Sequence, residues 1–194
     1  MTPQQFSEFW NKYFPLCPPV GYMLRSAYAD RWFRIHTLPE SKRYAETERE
    51  YEEILYRHNT LFAELFGEGE PILLVATGYS STPELEQPEN MPIGIDSFTH
   101  IGVVPMHIIE DDDEEGARYW HIWVAELCWQ LHGFDSLLKS VADDEIENVM
   151  FIRSHEPVVY SPYDGGADII LMTPEERDRY RQQYTSWLSK HPEG

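Results

Sequence analysis

Cysteine is scarce in this chain. Cys17 and Cys128 are the two among 194 residues, and they fall in no CxxC or other metal-ligand spacing, which points away from a disulfide framework. Basic side chains are also few: 15 Lys and Arg stand against 34 Asp and Glu, for a net charge of −19. A nucleic acid or an anionic membrane surface demands a basic footprint, so neither is expected as the main partner. No apolar run approaches the roughly 20 residues of a membrane span. The opening Met1-Thr2-Pro3-Gln4-Gln5 lacks a basic region followed by an apolar core, so no signal peptide is expected and a reducing cytoplasm is the expected compartment. There is no internal repeat, Walker loop, dinucleotide glycine motif, GxSxG elbow, kinase signature or HExxH. The common marks of an enzyme are therefore missing, and no cofactor and no metal is expected.

What is present is globular. Hydrophobic residues make up 42% and aromatics 14% of the chain, enough for a sizeable core in one domain spanning 1–194. Thr2, Pro3 and Gln5 form a capping-box start, and Phe6, Phe9, Trp10, Tyr13 and Phe14 keep one helical stripe until Pro15, Pro18 and Pro19. Residues 31–38 read as a strand. The strongest helical spacing runs from about Ala45 to Phe66, with His58 on its core stripe and Gly67 and Gly69 after it. Ile72 to Thr77 reads as a buried strand, 80–100 as a long loop, and 101–127 as a hairpin around the acidic run Glu110 to Gly116. A helix at 134–142 and a strand at 149–153 follow. Residues 158–171 then form a second hairpin, with Gly165-Gly166 as the expected tight turn. Thr173-Pro174-Glu175-Glu176 opens a last helix whose inner stripe is Tyr180, Tyr184, Trp187 and Leu188. Strands in the middle and helices at the ends predict an α+β fold: an antiparallel or mixed sheet with helices from both chain ends packed on it.

Four constellations could carry function. Arg25, Arg31, Arg34, Lys42, Arg43 and Arg49 crowd one stretch that holds few acids. Within it Arg34, His36, Ser41, Lys42 and Arg43 are the candidate anion ligands, with Ser41 placed to help cap the following helix. The alternative is that these cations pair with carboxylates elsewhere. Tyr163 and Asp168 flank the glycine turn and are the candidate acid–base pair, directly opposed if Gly165-Gly166 is the loop; turn chemistry is the plainer account of an Asp before Gly-Gly. His107 and His121 become cross-strand neighbours if the first hairpin pairs across residue 114. They would be half a metal site, with His100, Glu110 and Glu126 as nominal third ligands. Asp111, Asp112, Asp113 and Glu114 lack the register of a calcium loop. They read as a solvated hairpin tip or a docking surface for a basic protein.

Two passages carry a resemblance. Arg34-Ile35-His36-Thr37-Leu38-Pro39-Glu40-Ser41-Lys42-Arg43-Tyr44 is one; Ser161-Pro162-Tyr163-Asp164-Gly165-Gly166-Ala167-Asp168 with Trp187-Leu188-Ser189-Lys190-His191-Pro192-Glu193-Gly194 is the other. Together they resemble an uncharacterised bacterial family built on a domain of unknown function, over nearly the whole chain. Its C-terminal pattern is similar to that of small bacterial proteins linked with toxin immunity.

These observations lead first to a non-catalytic, cytosolic binding protein that recognises a basic protein, in its concrete form an immunity protein for a cationic toxin. Residues 110–115 and 143–145 would dock, with aromatic anchors beside them. The alternative is a small-molecule enzyme or sensor, with an anion-binding pocket between the basic stretch and the glycine hairpin. That alternative requires the two segments to meet at a concave site.

Overall fold

A computed structural model describes residues 1–84, 97–105 and 118–188. Among these, seven strands form one sheet in the order β1-β7-β6-β5-β2-β4-β3, with every neighbouring pair antiparallel. The strands are β1 (Trp32–His36), β2 (Pro71–Ser80), β3 (Thr99–Pro105), β4 (Tyr119–Cys128), β5 (Val149–Arg153), β6 (Val159–Tyr163) and β7 (Gly166–Ile170). The helices are α1 (Pro3–Tyr13), α2 (Gly21–Ala27), α3 (Glu48–Leu65), α4 (Asp135–Ala142) and α5 (Pro174–Gln183). The fold is α+β, as the order of elements predicted.

Strand alternation sorts the side chains onto two faces. Leu73, Val75, Ile122, Val124, Met150, Ile152, Val159 and Ile170 bury against α1 and α2, where Phe6, Trp10, Phe14 and Leu24 meet them. Leu74, Phe151, Tyr160 and Ile169 point the other way, into a second core with Leu61, Phe62 and Leu65 of α3, Leu138 of α4 and Tyr180 of α5. The first and last helices thus cover opposite faces. No described helix is long and apolar enough to cross a membrane.

Local chemistry explains the helix starts. Thr2 caps α1 and Thr47 caps α3, each in a complete capping box with Gln5 and Glu50 respectively. Ser41 therefore does not cap α3; it closes a short 3-10 turn, Pro39–Ser41, with a left-handed φ of 59°. Thr173 caps α5 through the Glu176 amide, while the Glu176 carboxylate accepts from Met172 N–H instead of closing a full box. Helix α2 lies where the sequence reads no element, since Pro18, Pro19 and Gly21 look like a plain loop. Gly21 is needed there: a Cβ would press on the Ser161 hydroxyl and Met150, so its absence lets α2 lie close on the sheet.

Both hairpins differ from the expected register. In the first, Val103 rather than His107 opposes His121, with a β-bulge between His100 and Gly102. The slip from pairing across residue 114 is an even number of residues, so Val104, Trp120, Ile122 and Val124 share one face in either register. His107, the acidic residues Asp111, Asp112, Asp113 and Glu114, and most of the 80–100 loop lie outside the described residues. In the second hairpin the two-residue loop is Asp164-Gly165, so Tyr163 opposes Gly166 and Asp168 opposes Ser161. Neither Gly165 nor Gly166 uses a left-handed φ. Gly166 is required by crowding instead, because a Cβ there would run into the carbonyl oxygen of Ile35 on β1.

Candidate functional site

The edge strand β1 pairs with β7, and β7 with β6, so residues far apart in the chain stand abreast. Arg34, Asp168 and Ser161 form one row on the face that carries α2; His36, Gly166 and Tyr163 form the next. Asp168 accepts from Arg34 Nε at 2.8 Å, from Arg34 Nη2 at 2.9 Å and from Trp32 Nε1 at 2.8 Å. The guanidinium of Arg34 also lies 4.9 Å from the centre of the Tyr163 ring and 5.6 Å from that of Trp32. Burial works against the charge on Arg34, but the Asp168 carboxylate outweighs it and raises its pKa. A buried ion pair clamped between two rings thus forms the floor.

The floor opens into a cleft of about 470 Å³, within the usual range of small-molecule sites. Its walls come from Gly21, Tyr22 and Arg25 of α2, Arg43, Asp164 of the hairpin turn, and the α4–β5 connection with Asp144, Glu147 and Asn148. Asp144 and Asn148 hold left-handed φ angles of 62° and 56°, a conformation that Asp and Asn adopt more readily than other non-glycine residues. Arg43 Nε bonds the buried Asp164 carboxylate. Two of the four lining carboxylates thus neutralise Arg34 and Arg43. Arg25 meets no carboxylate among the described residues, and Asp144 and Glu147 face the same space. Burial pushes the Tyr163 phenol up to about 12, helped by Asp168 and Asp164 and opposed by Arg34 and Arg43. It stays protonated at neutral pH, and no described residue takes a hydrogen bond from its hydroxyl.

The basic stretch and the glycine hairpin therefore meet at one concave site. Of the five anion candidates, Arg34 and Arg43 line it, with Tyr163 and Asp168 beside them. Lys42 turns away to Glu46, just before α3, at 3.1 Å and to Glu50, in the first turn of α3, at 2.6 Å. Ser41 and His36 do not line the cleft; burial and then Arg34 lower the His36 pKa, and its Nε2 is buried without a partner. Tyr22, Glu147, Asn148 and Ser161 are cleft residues that sequence reasoning missed, and Asp144, expected in an acidic docking segment, also lines the cleft. Parity with Tyr163 on β6 could have found Ser161; nothing local marks the others.

His100, His121 and His58 sit elsewhere. His121 Nε2 is 3.0 Å from the Thr82 carbonyl, which can only accept, so that nitrogen carries the hydrogen and Nδ1 accepts from His100 Nε2 at 3.2 Å. Among the described residues no three His, Cys, Asp or Glu side chains could hold a metal ion. His58 is wholly buried, 2.7 Å from the Tyr160 hydroxyl, and burial lowers its pKa to about 3.

A family model described as a domain of unknown function, DUF3885, matches residues 20–192, and the chain belongs to that family. The matched region contains every residue of the cleft. No curated protein matches the chain, and no solved structure does.

Proposed function

We propose that the protein is a sensor or binding protein for a small polar ligand that carries an anionic group, and that the cleft above Arg34 and Asp168 is its site. One observation carries this reading: Arg25 and the Tyr163 hydroxyl, two donors with no protein acceptor among the described residues, share one cleft with a rigid ion-paired floor. Arg25 would take the anion. Asp144 and Glu147 favour a ligand that also bears an amine or hydroxyl donors. Binding fits the chemistry better than catalysis. A phenol raised to about 12 is poorly matched to proton transfer at neutral pH, and the Asp168 carboxylate is already engaged by three donors. The free thiols of Cys17 and Cys128 are in keeping with a cytoplasmic location.

The test is a thermal-shift screen of nucleotides, sugar phosphates, amino acids and dicarboxylates, followed by calorimetric titration. A ligand that raises the melting temperature of the wild type should bind Arg25→Ala and Tyr163→Phe at least about tenfold more weakly, as expected for a charged and a neutral hydrogen bond. Equal affinity for all three proteins, or no shift from any compound, would refute the reading.

A second reading, recognition of a basic protein, is supported by the charge of −19. Asp143, Asp144 and Glu145 at the end of α4 add a local acidic face. Association with a cationic protein that weakens steeply with salt is its signature.

A further inference from the structure

Helix α3 carries two stripes. Ile54, Leu61, Phe62 and Leu65 enter the core, while half-buried Leu55 and the exposed Tyr56 and Ala63 line one wall of a groove of about 530 Å³. The opposite wall is the turn before α4, with Leu131 and His132. Asn59 pins that turn in place. Its side chain accepts from His132 N–H at 3.1 Å and donates to Asp135 Oδ1 at 2.8 Å and to the Leu55 carbonyl at 2.9 Å. His132 holds a left-handed φ of 64° and also meets Asp135 at 2.9 Å. The wall is thus held by a buried amide, yet it leaves Leu131 53% and Tyr56 60% exposed. Between Glu52 and Ala63 the groove follows α3 for roughly 16 Å at 1.5 Å per residue, about three turns of a docked helix.

The rim is acidic. Glu52 lines the groove with no cation partner among the described residues, and Asp135 lies at the other wall. Arg57, the nearest cation on α3, is turned inward: it bonds Glu53 and the His36 carbonyl and is almost fully buried. An apolar wall beside the unpaired Glu52, in a chain of net charge −19, matches a helix with aliphatic residues on one face and lysines or arginines beside them. We infer that this groove docks a cationic amphipathic helix of a protein partner. The inference rests on the basic-partner reading and names its surface, apart from the ligand cleft.

The probe is a fluorescein-labelled peptide with leucines at i, i+3, i+4 and i+7 and lysines between them, followed by fluorescence anisotropy. Its counterpart with glutamates in place of lysines is the control. Wild-type protein should bind the lysine peptide and not the glutamate one. Leu131→Glu and Tyr56→Glu make the protein still more acidic, so attraction by charge alone would tighten binding; docking in the groove weakens it about tenfold or more. Both positions are exposed, and thermal melts verify that the variants are folded. Arg25→Ala should bind the lysine peptide as the wild type does. Unchanged or tighter binding by Leu131→Glu overturns the groove while leaving acidic recognition standing. No binding of the lysine peptide by the wild type overturns both.

Discussion

Truncating Asp168 to alanine tests the floor of the cleft. The side chain is nine-tenths buried and accepts three hydrogen bonds, two from Arg34 and one from Trp32. Asp168→Ala leaves a guanidinium that is itself only 17% exposed without its counter-ion, and an indole N–H without an acceptor. Breaking one partner of a buried pair costs about 3–5 kcal/mol, mostly as the penalty of the charge left behind. For a chain of this size that lowers the melting temperature by roughly 6–20 °C. The double variant Arg34→Met with Asp168→Leu removes both charges, fills the space with apolar atoms, and should recover most of the loss. Urea unfolding followed by tryptophan fluorescence measures the wild type, Asp168→Ala, the double variant and the single variants Arg34→Met and Asp168→Leu, which close the cycle. A cost below about 1 kcal/mol for Asp168→Ala, or a double variant as unstable as the sum of the singles, would refute the account of the floor as a coupled buried pair.

Three further outcomes follow from the structure. His58 is neutral in the folded chain down to about pH 3, whereas in the unfolded chain it takes up a proton below about 6.5. Its contribution is therefore complete above that value and lost as pH falls, by about 2 kcal/mol at pH 5; urea unfolding should show wild type losing that much more than His58→Leu between neutral pH and pH 5. Gly166→Ala drives a methyl group into the Ile35 carbonyl and the Tyr163 hydroxyl. It should cost about 3 kcal/mol, measured as the melting temperature by circular dichroism. Thr47→Ala removes the cap of α3 and half of its capping box, and chemical denaturation should register a loss of about 1 kcal/mol.

The parts of the fold written in short stretches of sequence were legible. Capping-box starts placed α1 and α5, and apolar spacing placed α3, because a helix is decided by contacts three and four residues apart. Alternation in the first hairpin puts Trp120, Ile122 and Val124 on one face, and an even slip in register does not disturb that. Helix α2 was hidden because its glycine and preceding prolines signal a loop, and only close packing on Ser161 and Met150 makes a helix favourable there. The turn of the second hairpin was misplaced by one residue because Gly166 looked like a turn glycine; its reason is the Ile35 carbonyl of the neighbouring strand β1.

The candidate site divides along the same line. Composition and spacing alone determined an acidic α+β chain, a basic stretch between residues 25 and 49, and a glycine hairpin near residue 165. They left open whether Arg34 is free or paired, and whether the two segments touch. Tertiary structure decided both. The pairing of β1 with β7 joins positions more than 130 residues apart in the chain, and no local signal encodes such a contact, since it depends on which strand edge remains open once the rest of the sheet has packed. That pairing sets Asp168 against Arg34, turns Lys42 away to α3, and leaves Arg25 and Tyr163 facing the cleft.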